Sequence, residues 1–268
     1  MNRRFILPTL VGLACIAPPG CSGEEERSRP GRPVSVYFLR DGRVAAARRA
    51  VDTATVRAPS AALLALLEGP NEDERSAGLS SALPADAELI DLATRRGTTR
   101  VRLSPEFLPA NDRRLLRRRI AQVVYTLTQF PGVSRVRLEV QSTNAQGGLG
   151  RVHRIQGAET RRELEQLTPA IFLESPVVGD RVQSPIHLRG TANTFEANFT
   201  IRVLDRDGRM LREHFATATS GTGTRGTFDV RFPVPGDYEG PIELLVFEPS
   251  AADGSELFPV RVPLTLVR

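Results

Sequence analysis

At 268 residues the chain has room for two ordinary domains once a leader and a linker are set aside, and 40% hydrophobic residues suffice for packed cores. The 25% charged content argues against wholesale disorder. Formal net charge is +5 and every one of the 36 basic residues is arginine, which leans towards anionic partners such as envelope polymers or phospholipid heads, although both signs are interspersed as on a solvated surface. The two cysteines, Cys15 and Cys21, both lie in the first 21 residues, so the folded remainder holds no disulfide and no cysteine-based metal site.

Residues 1–21 read as an export signal. Arg3 and Arg4 form a basic start, and Phe5 to Ala17 is a short apolar stretch. About 13 helical residues rise only about 20 Å, short of the roughly 30 Å hydrocarbon core, so a cleaved leader is expected rather than a permanent span. The stretch closes on Gly20-Cys21, the small-residue-then-cysteine pattern of a bacterial lipobox, although Pro18 and Pro19 depart from that pattern. Lipidation of Cys21 is the expectation, with plain secretion as the alternative. Residues 22–33 contain Glu24-Glu25-Glu26 and little that could be buried, and read as a disordered tether.

A first domain is expected over 34–143. Val34 to Leu39 is a strand ending in the turn Asp41-Gly42, followed by a weaker strand over 45–51. Pro59 near the start and Gly69-Pro70 past the end punctuate a helix between them. Residues 71–84 look like a long polar loop, and Ala87 to Ala93 like a strand. The centre of the domain is a strand–helix–strand unit over Thr98 to Val140. Both flanking strands alternate with period two. Between them Leu116, Ile120, Val123, Leu127 and Phe130 form one apolar stripe, with Asn111 or Asp112 as the N-cap. Arg113, Arg114, Arg117 and Arg118 occupy the opposite face and are the candidate interaction surface.

Residues 144–169 read as a linker, with a short connecting helix over 159–167. From Ile171 to the end, over 170–268, seven short alternating strands follow with turns between them and no helical period. That texture describes an antiparallel sandwich of immunoglobulin type lacking the usual Cys and Trp markers. The fold class is therefore multidomain: an α+β module with a mixed sheet and two helices, then an all-β sandwich.

Chemical motifs are decoys. Gly221-Thr222-Gly223-Thr224-Arg225-Gly226 matches the dinucleotide fingerprint but precedes a β-rich segment instead of a helix, and reads as a flexible hairpin loop. Asp205-Arg206-Asp207-Gly208 begins like a calcium loop but lacks the closing Glu, and reads as a hairpin turn, as does Asp253-Gly254. His153, His187 and His214 stand in separate segments. No catalytic residues, cofactor or metal are assigned, and a non-enzymatic protein is expected.

Both halves resemble bacterial sporulation and germination modules. Val36-Tyr37-Phe38, Leu66-Leu67-Glu68-Gly69-Pro70, Val101-Arg102-Leu103-Ser104-Pro105-Glu106-Phe107 and Val124-Tyr125-Thr126-Leu127-Thr128-Gln129-Phe130 are similar to the GerM-type sporulation/spore germination (GerMN) domain. Ser175-Pro176, Ser184-Pro185, Gly190-Thr191-Ala192, Phe195-Glu196-Ala197 and Val203 to Gly208 resemble the immunoglobulin-like domain of spore germination proteins. The resemblance implies a membrane-anchored extracytoplasmic scaffold of the cell envelope, bound to envelope proteins or anionic wall and membrane components, with homo-oligomers in view and no nucleic-acid partner. The alternative is a wall-polymer or carbohydrate binding module assisting an envelope hydrolase.

Overall fold

The structure, a computed structural model, describes residues 31–144, 148–157 and 159–268. It opens with a hairpin of β1 (Arg32–Arg40) and β2 (Arg43–Val51). Asp41 and Gly42 both take positive φ, 51° and 73°, the type I′ geometry whose twist matches the flanking strands. Then come α1 (Ala58–Leu67) and α2 (Glu72–Ser76), followed by β3 (Leu89–Arg95) and β4 (Thr98–Leu103). After them lie α3 (Arg113–Leu127), β5 (Arg135–Thr143) and β6 (Leu149–Arg154). β3-β4-β5-β6 form one mixed sheet in which β4 and β5 are parallel. A parallel pair needs a crossover, and α3 supplies it.

The helices α1 and α3 pack on each other and on β1, while α1 also meets β3 and α3 meets β5. They thus lie between hairpin and sheet. This position explains why Arg119 to Leu127 are all buried, where one apolar stripe predicts burial on one side only. The stripe is present: Ile120, Val123 and Leu127 are buried, although the helix ends at Leu127, before Phe130. A second, polar row does different work. Gln122, Thr126 and Gln129 recur at i, i+4 and i+7 and serve the free edge of β1. Tyr37 N donates to Thr126 Oγ1 (3.1 Å), Gln122 Nε2 donates to Tyr37 O (3.3 Å), and Ser35 N donates to Gln129 Oε1 (2.8 Å). Leu39 and Ser80 exchange both backbone bonds at 2.8 Å. A helix and a loop thereby stand in for a third strand and cover an edge that would otherwise present unpaired groups.

Three expectations need correcting. The expected tether runs through Pro33, but β1 begins at Arg32, because its backbone pairs with Val51 whatever the side chains offer. The long polar loop over 71–84 contains α2, nucleated by a capping box: Glu74 N donates to Asn71 Oδ1 (2.9 Å) and Asn71 N donates to Glu74 Oε2 (2.8 Å). The segment 144–169, expected as a linker, carries the edge strand β6, while the short helix expected over 159–167 is a 3-10 turn over Arg162–Leu167. β6 is Arg-rich and exposed, so it lacks the apolar alternation that betrays a strand.

Glu159 fastens this segment. It accepts from Arg135 Nη1 (3.0 Å) and from Arg154, with Arg137 at 3.6 Å, joining β5 to β6. Burial alone would raise its pKa, but hydrogen bonds from Arg154 and Arg135 prevail and hold it below the ordinary 4.5. A depressed carboxylate stabilises the fold above its unfolded pKa and loses that contribution as pH falls through the folded one. Melting followed by circular dichroism from pH 6 to pH 2 is therefore expected to show wild type dropping more steeply below about 4.5 than Glu159→Gln. Parallel curves would contradict this role.

The second module has β7 (Ile171–Ser175), β8 (Arg181–Val182), β9 (Ile186–Ala192), β10 (Asn198–Asp205), β11 (Met210–Thr217), β12 (Gly226–Phe232), β13 (Gly240–Pro249) and β14 (Glu256–Leu266). All seven expected strands are among them. They form two sheets, β11-β10-β13-β14-β8 and β12-β9-β7. Alternate residues face inward, such as Phe199, Ile201 and Val203 of β10, with Phe199 and Phe228 rings 4.8 Å apart across the core. Gly190 is required by space: a Cβ there would lie 2.1 Å from Phe172 O and 2.6 Å from Phe228 Cζ.

Candidate interaction site between the two modules

Residues 31–268 form one compact unit, within which the two modules pack against each other. Hydrogen bonds and an aromatic cluster build the seam. β2 offers its outer edge to the sandwich: Arg48 N donates to Val178 O (2.7 Å) and Arg48 Nε donates to Asp180 Oδ1 (2.9 Å). Arg48 Nη1 also reaches Ser35 Oγ at 2.9 Å. Tyr37, Tyr125 and Phe172 form an aromatic cluster across the seam, with centroids 5.6 to 6.2 Å apart.

Arg161 is the clamp over this cluster. Its guanidinium lies 5.2 Å from the Tyr37 ring and 4.7 Å from the Tyr125 ring. It donates to Thr128 Oγ1 (2.7 Å), Tyr125 O (3.0 Å), Tyr37 OH (3.3 Å) and the Glu174 carboxylate. Burial raises the Tyr37 pKa and pushes that of Tyr125 up to about 12, against the opposing pull of Arg161. Both phenols therefore stay neutral over the physiological range.

Beside the seam opens a cleft of about 730 Å3 lined from both modules. Its apolar wall comprises Val44, Ala45, Val260 and Phe258. Its charges are Arg40 and Arg43, on either side of the β1–β2 turn, and Arg225, with Asp41 and Glu165 opposing them. Arg43 Nη1 donates to Gln166 O and Thr168 O, both at 3.1 Å. Arg40 donates to Ala77 O (2.7 Å) and Arg261 O (2.6 Å). Neither has a carboxylate partner among the described residues. Arg225 Nη2 donates to Pro169 O (2.8 Å), while its buried Nε makes no hydrogen bond and faces Glu165 at 3.4 Å. Burial lowers the pKa of Arg40 and of Arg225, a sign of cations held away from water.

The four arginines expected as an interaction surface, Arg113, Arg114, Arg117 and Arg118, are all exposed on the first turns of α3. Arg117 Nη2 donates to Glu163 O (3.0 Å), and the Arg118 guanidinium lies over Gly42, where a Cβ would stand 2.8 Å from its Nη2. None forms an ion pair among the described residues. Because α3 runs antiparallel to β1, these arginines share the hairpin-tip end of the body with Arg40 and Arg43. The chain joins β1 at the other end, and nine strand residues rise about 30 Å. Asp112 is the N-cap, accepting from Leu115 N (2.9 Å) and Arg114 N (2.8 Å), and those bonds lower its pKa.

Cys21 lies outside the described residues. The three histidines stand apart on β6, β9 and β11; His187 pairs with Asp229 at 2.6 Å and His214 stacks on Phe232 at 5.1 Å. No metal-ligating cluster occurs among the described residues. Asp205 makes a hairpin turn, accepting from Asp207 N (3.0 Å) and Arg209 N (2.8 Å). The glycine-rich segment 221–226 is not a hairpin loop. It joins β11 and β12, which belong to different sheets, and a Cβ on Gly221 would come within 2.4 Å of Thr194 O and Ala197 N. Sequence reading missed the cleft arginines because their proximity arises only from the seam.

The fold and the seam define a two-domain protein, an α+β module locked onto an immunoglobulin-like sandwich. Residues 35–145 match the family described as "Sporulation and spore germination", and residues 170–255 match the "Immunoglobulin-like domain of bacterial spore germination". Among solved structures it is similar to the tandem GerMN domains of the sporulation protein GerM from Bacillus subtilis, with 18% identity over 49% of this chain and 48% of that one, at a TM-score of 0.36. The first GerMN domain of the same protein aligns at 21% identity over 49% of this chain and 98% of that one, TM-score 0.37. A putative lipoprotein from Clostridium perfringens aligns at 16% identity over 52% and 93%, TM-score 0.31. The chain spans about half the length of the tandem protein, 48% of it. No curated protein matches the chain.

Proposed function

We propose that the protein is a non-enzymatic, extracytoplasmic scaffold of the bacterial envelope, tethered to the membrane through a lipid on Cys21 and working by contact with envelope partners. The observation that carries this reading is the seam. It holds two modules as one body, so that surfaces of both are offered to a partner in fixed relation. The four arginines of α3, exposed and without carboxylate partners among the described residues, supply an anion-seeking face at the end of the body that also holds the cleft. The leader-like start, Gly20-Cys21 and the charged tether support placement outside the cytoplasm.

Labelling of growing cells with a palmitate analogue, followed by fractionation, tests the anchor. Wild type is expected in the membrane fraction carrying label, and Cys21→Ser in neither. Wholly cytoplasmic wild-type protein would end the proposal. Cross-linking in intact cells tests the contact: changing Arg114, Arg117 and Arg118 together to Glu is expected to leave folding intact and reduce recovery of cross-linked complexes. Unchanged recovery removes the arginines from the interface. Retention on purified cell wall free of protein would favour the polymer-binding alternative.

A further inference from the structure

We propose that the inter-module cleft binds an extended acidic peptide segment of a partner protein, one carrying an aromatic or aliphatic side chain between carboxylates. This deepens the scaffold reading and rests on it for the identity of the partner as a protein. The size is right, since a cleft of about 730 Å3 falls within the range of ligand pockets. The chemistry of the walls narrows the ligand further.

Phe258 is the first indicator. Its φ is 51°, a left-handed conformation costly for an aromatic residue, and it precedes Pro259, which normally drives its predecessor to extended backbone. The β13–β14 ladder shifts register between Val246 and Glu248, opposite this point. Such a bulge re-aims a side chain. Here the side chain lines the cleft while remaining 58% exposed. Val44, Ala45 and Val260 continue that apolar wall. A strained, exposed aromatic above an apolar floor offers a place for one apolar side chain.

The arginines are the second. Arg43 uses only Nη1, leaving Nη2 and Nε without partners among the described residues. Arg225 adds positive charge to the wall, its buried Nε already facing Glu165 at 3.4 Å. A guanidinium with free parallel donors matches a carboxylate in bidentate fashion. Three arginines against Asp41 and Glu165 leave the cleft net cationic. The exposed Arg117 and Arg118 extend the positive field along the adjoining 3-10 turn and hairpin tip. A phosphodiester polymer would use the arginines but leave the apolar wall wet. A glycan would need broader stacking than one Phe gives. The tether of this chain has the acidic run Glu24 to Glu26 but no apolar residue beside it. An acidic segment with an apolar anchor uses both halves of the cleft.

The test is selection of a random twelve-residue peptide library displayed on phage against the purified full chain. Enriched peptides are expected to hold two or more Asp or Glu around an aromatic or branched aliphatic residue. A synthetic peptide of the leading sequence is expected to bind about tenfold more weakly to Arg43→Glu, which inverts one contact charge. It should bind several-fold more weakly to Phe258→Asn, a residue that accepts the left-handed backbone. Phe258→Asn should melt as wild type does, and Arg43→Glu, which gives up the bonds to Gln166 O and Thr168 O, should melt lower but keep the wild-type circular dichroism spectrum at the temperature of the binding assay. No enrichment, enrichment without acidic residues, or equal affinity for Arg43→Glu would overturn the proposal, as would displacement of the peptide by a glycerol-phosphate polymer alone at matched charge. Peptide binding by Cys21→Ser protein separates this from the anchor: the variant is expected to bind as wild type, so loss of membrane attachment and loss of peptide binding can fail independently.

Discussion

Replacing Glu74 with alanine is expected to cost about 3–5 kcal/mol of folding stability, the loss that follows from stranding a buried cation. Glu74 is only 3% exposed, and its carboxylate takes Arg49 in a two-toothed grip, with Nε to Oε1 at 2.9 Å and Nη2 to Oε2. Arg49 also donates to Ala65 O and Gly69 O, each at 2.7 Å, and lies 5.1 Å from the Phe38 ring. One guanidinium thus gathers β2, the end of α1 and the start of α2. The same carboxylate closes the capping box, so alanine also leaves the Asn71 N–H without its side-chain acceptor, while Asn71 Oδ1 still caps the helix. Urea unfolding of wild type and variant gives the difference directly. The double change Arg49→Met with Glu74→Leu is expected to recover a large part of the loss, because no charge is then left buried. A cost under about 1 kcal/mol for Glu74→Ala would show that Arg49 finds water or another partner.

Arg161→Met is expected to cost about 3 kcal/mol and to uncouple the modules. Methionine keeps bulk against the two tyrosine rings but donates nothing. The Tyr37 hydroxyl, Tyr125 carbonyl and Thr128 hydroxyl each lose a donor, and Glu174 loses its ion pair. Since Arg161 acts to lower the Tyr37 pKa, its removal should also move the phenol further up, which ultraviolet titration reads. A variant with unchanged midpoint and unchanged Tyr37 titration would contradict the clamp.

How far these features were legible in the chain differs between its halves. In the sandwich the strands announced themselves, since residues such as Phe228, Val230 and Phe232 alternate with charged neighbours on a half-solvated sheet. In the first module the apolar stripe of α3 was plain, but its polar row was not. Gln122, Thr126 and Gln129 look like solvent residues until β1 is set beside them, although their i, i+4, i+7 spacing was a usable signal. α2 was likewise written in Asn71 and Glu74, three residues apart. β6 offered no signal, because its pairing rests on backbone and on Glu159. Arg113, Arg114, Arg117 and Arg118 are exposed, as their place opposite the apolar stripe of α3 predicts. The cleft was not legible at all: Arg43 and Arg225 lie 182 positions apart by their numbers, and Arg225 sat inside a glycine motif that suggested something else.

The two modules form one body rather than two beads on a string. Scanning calorimetry of the intact protein tests that claim most directly. A single cooperative transition is predicted, with calorimetric and van't Hoff enthalpies agreeing near about 170 kcal/mol, from about 0.7 kcal/mol per residue over the compact unit. Two resolved transitions in the wild type, each carrying the enthalpy of one module and unmoved by Arg161→Met, would contradict it.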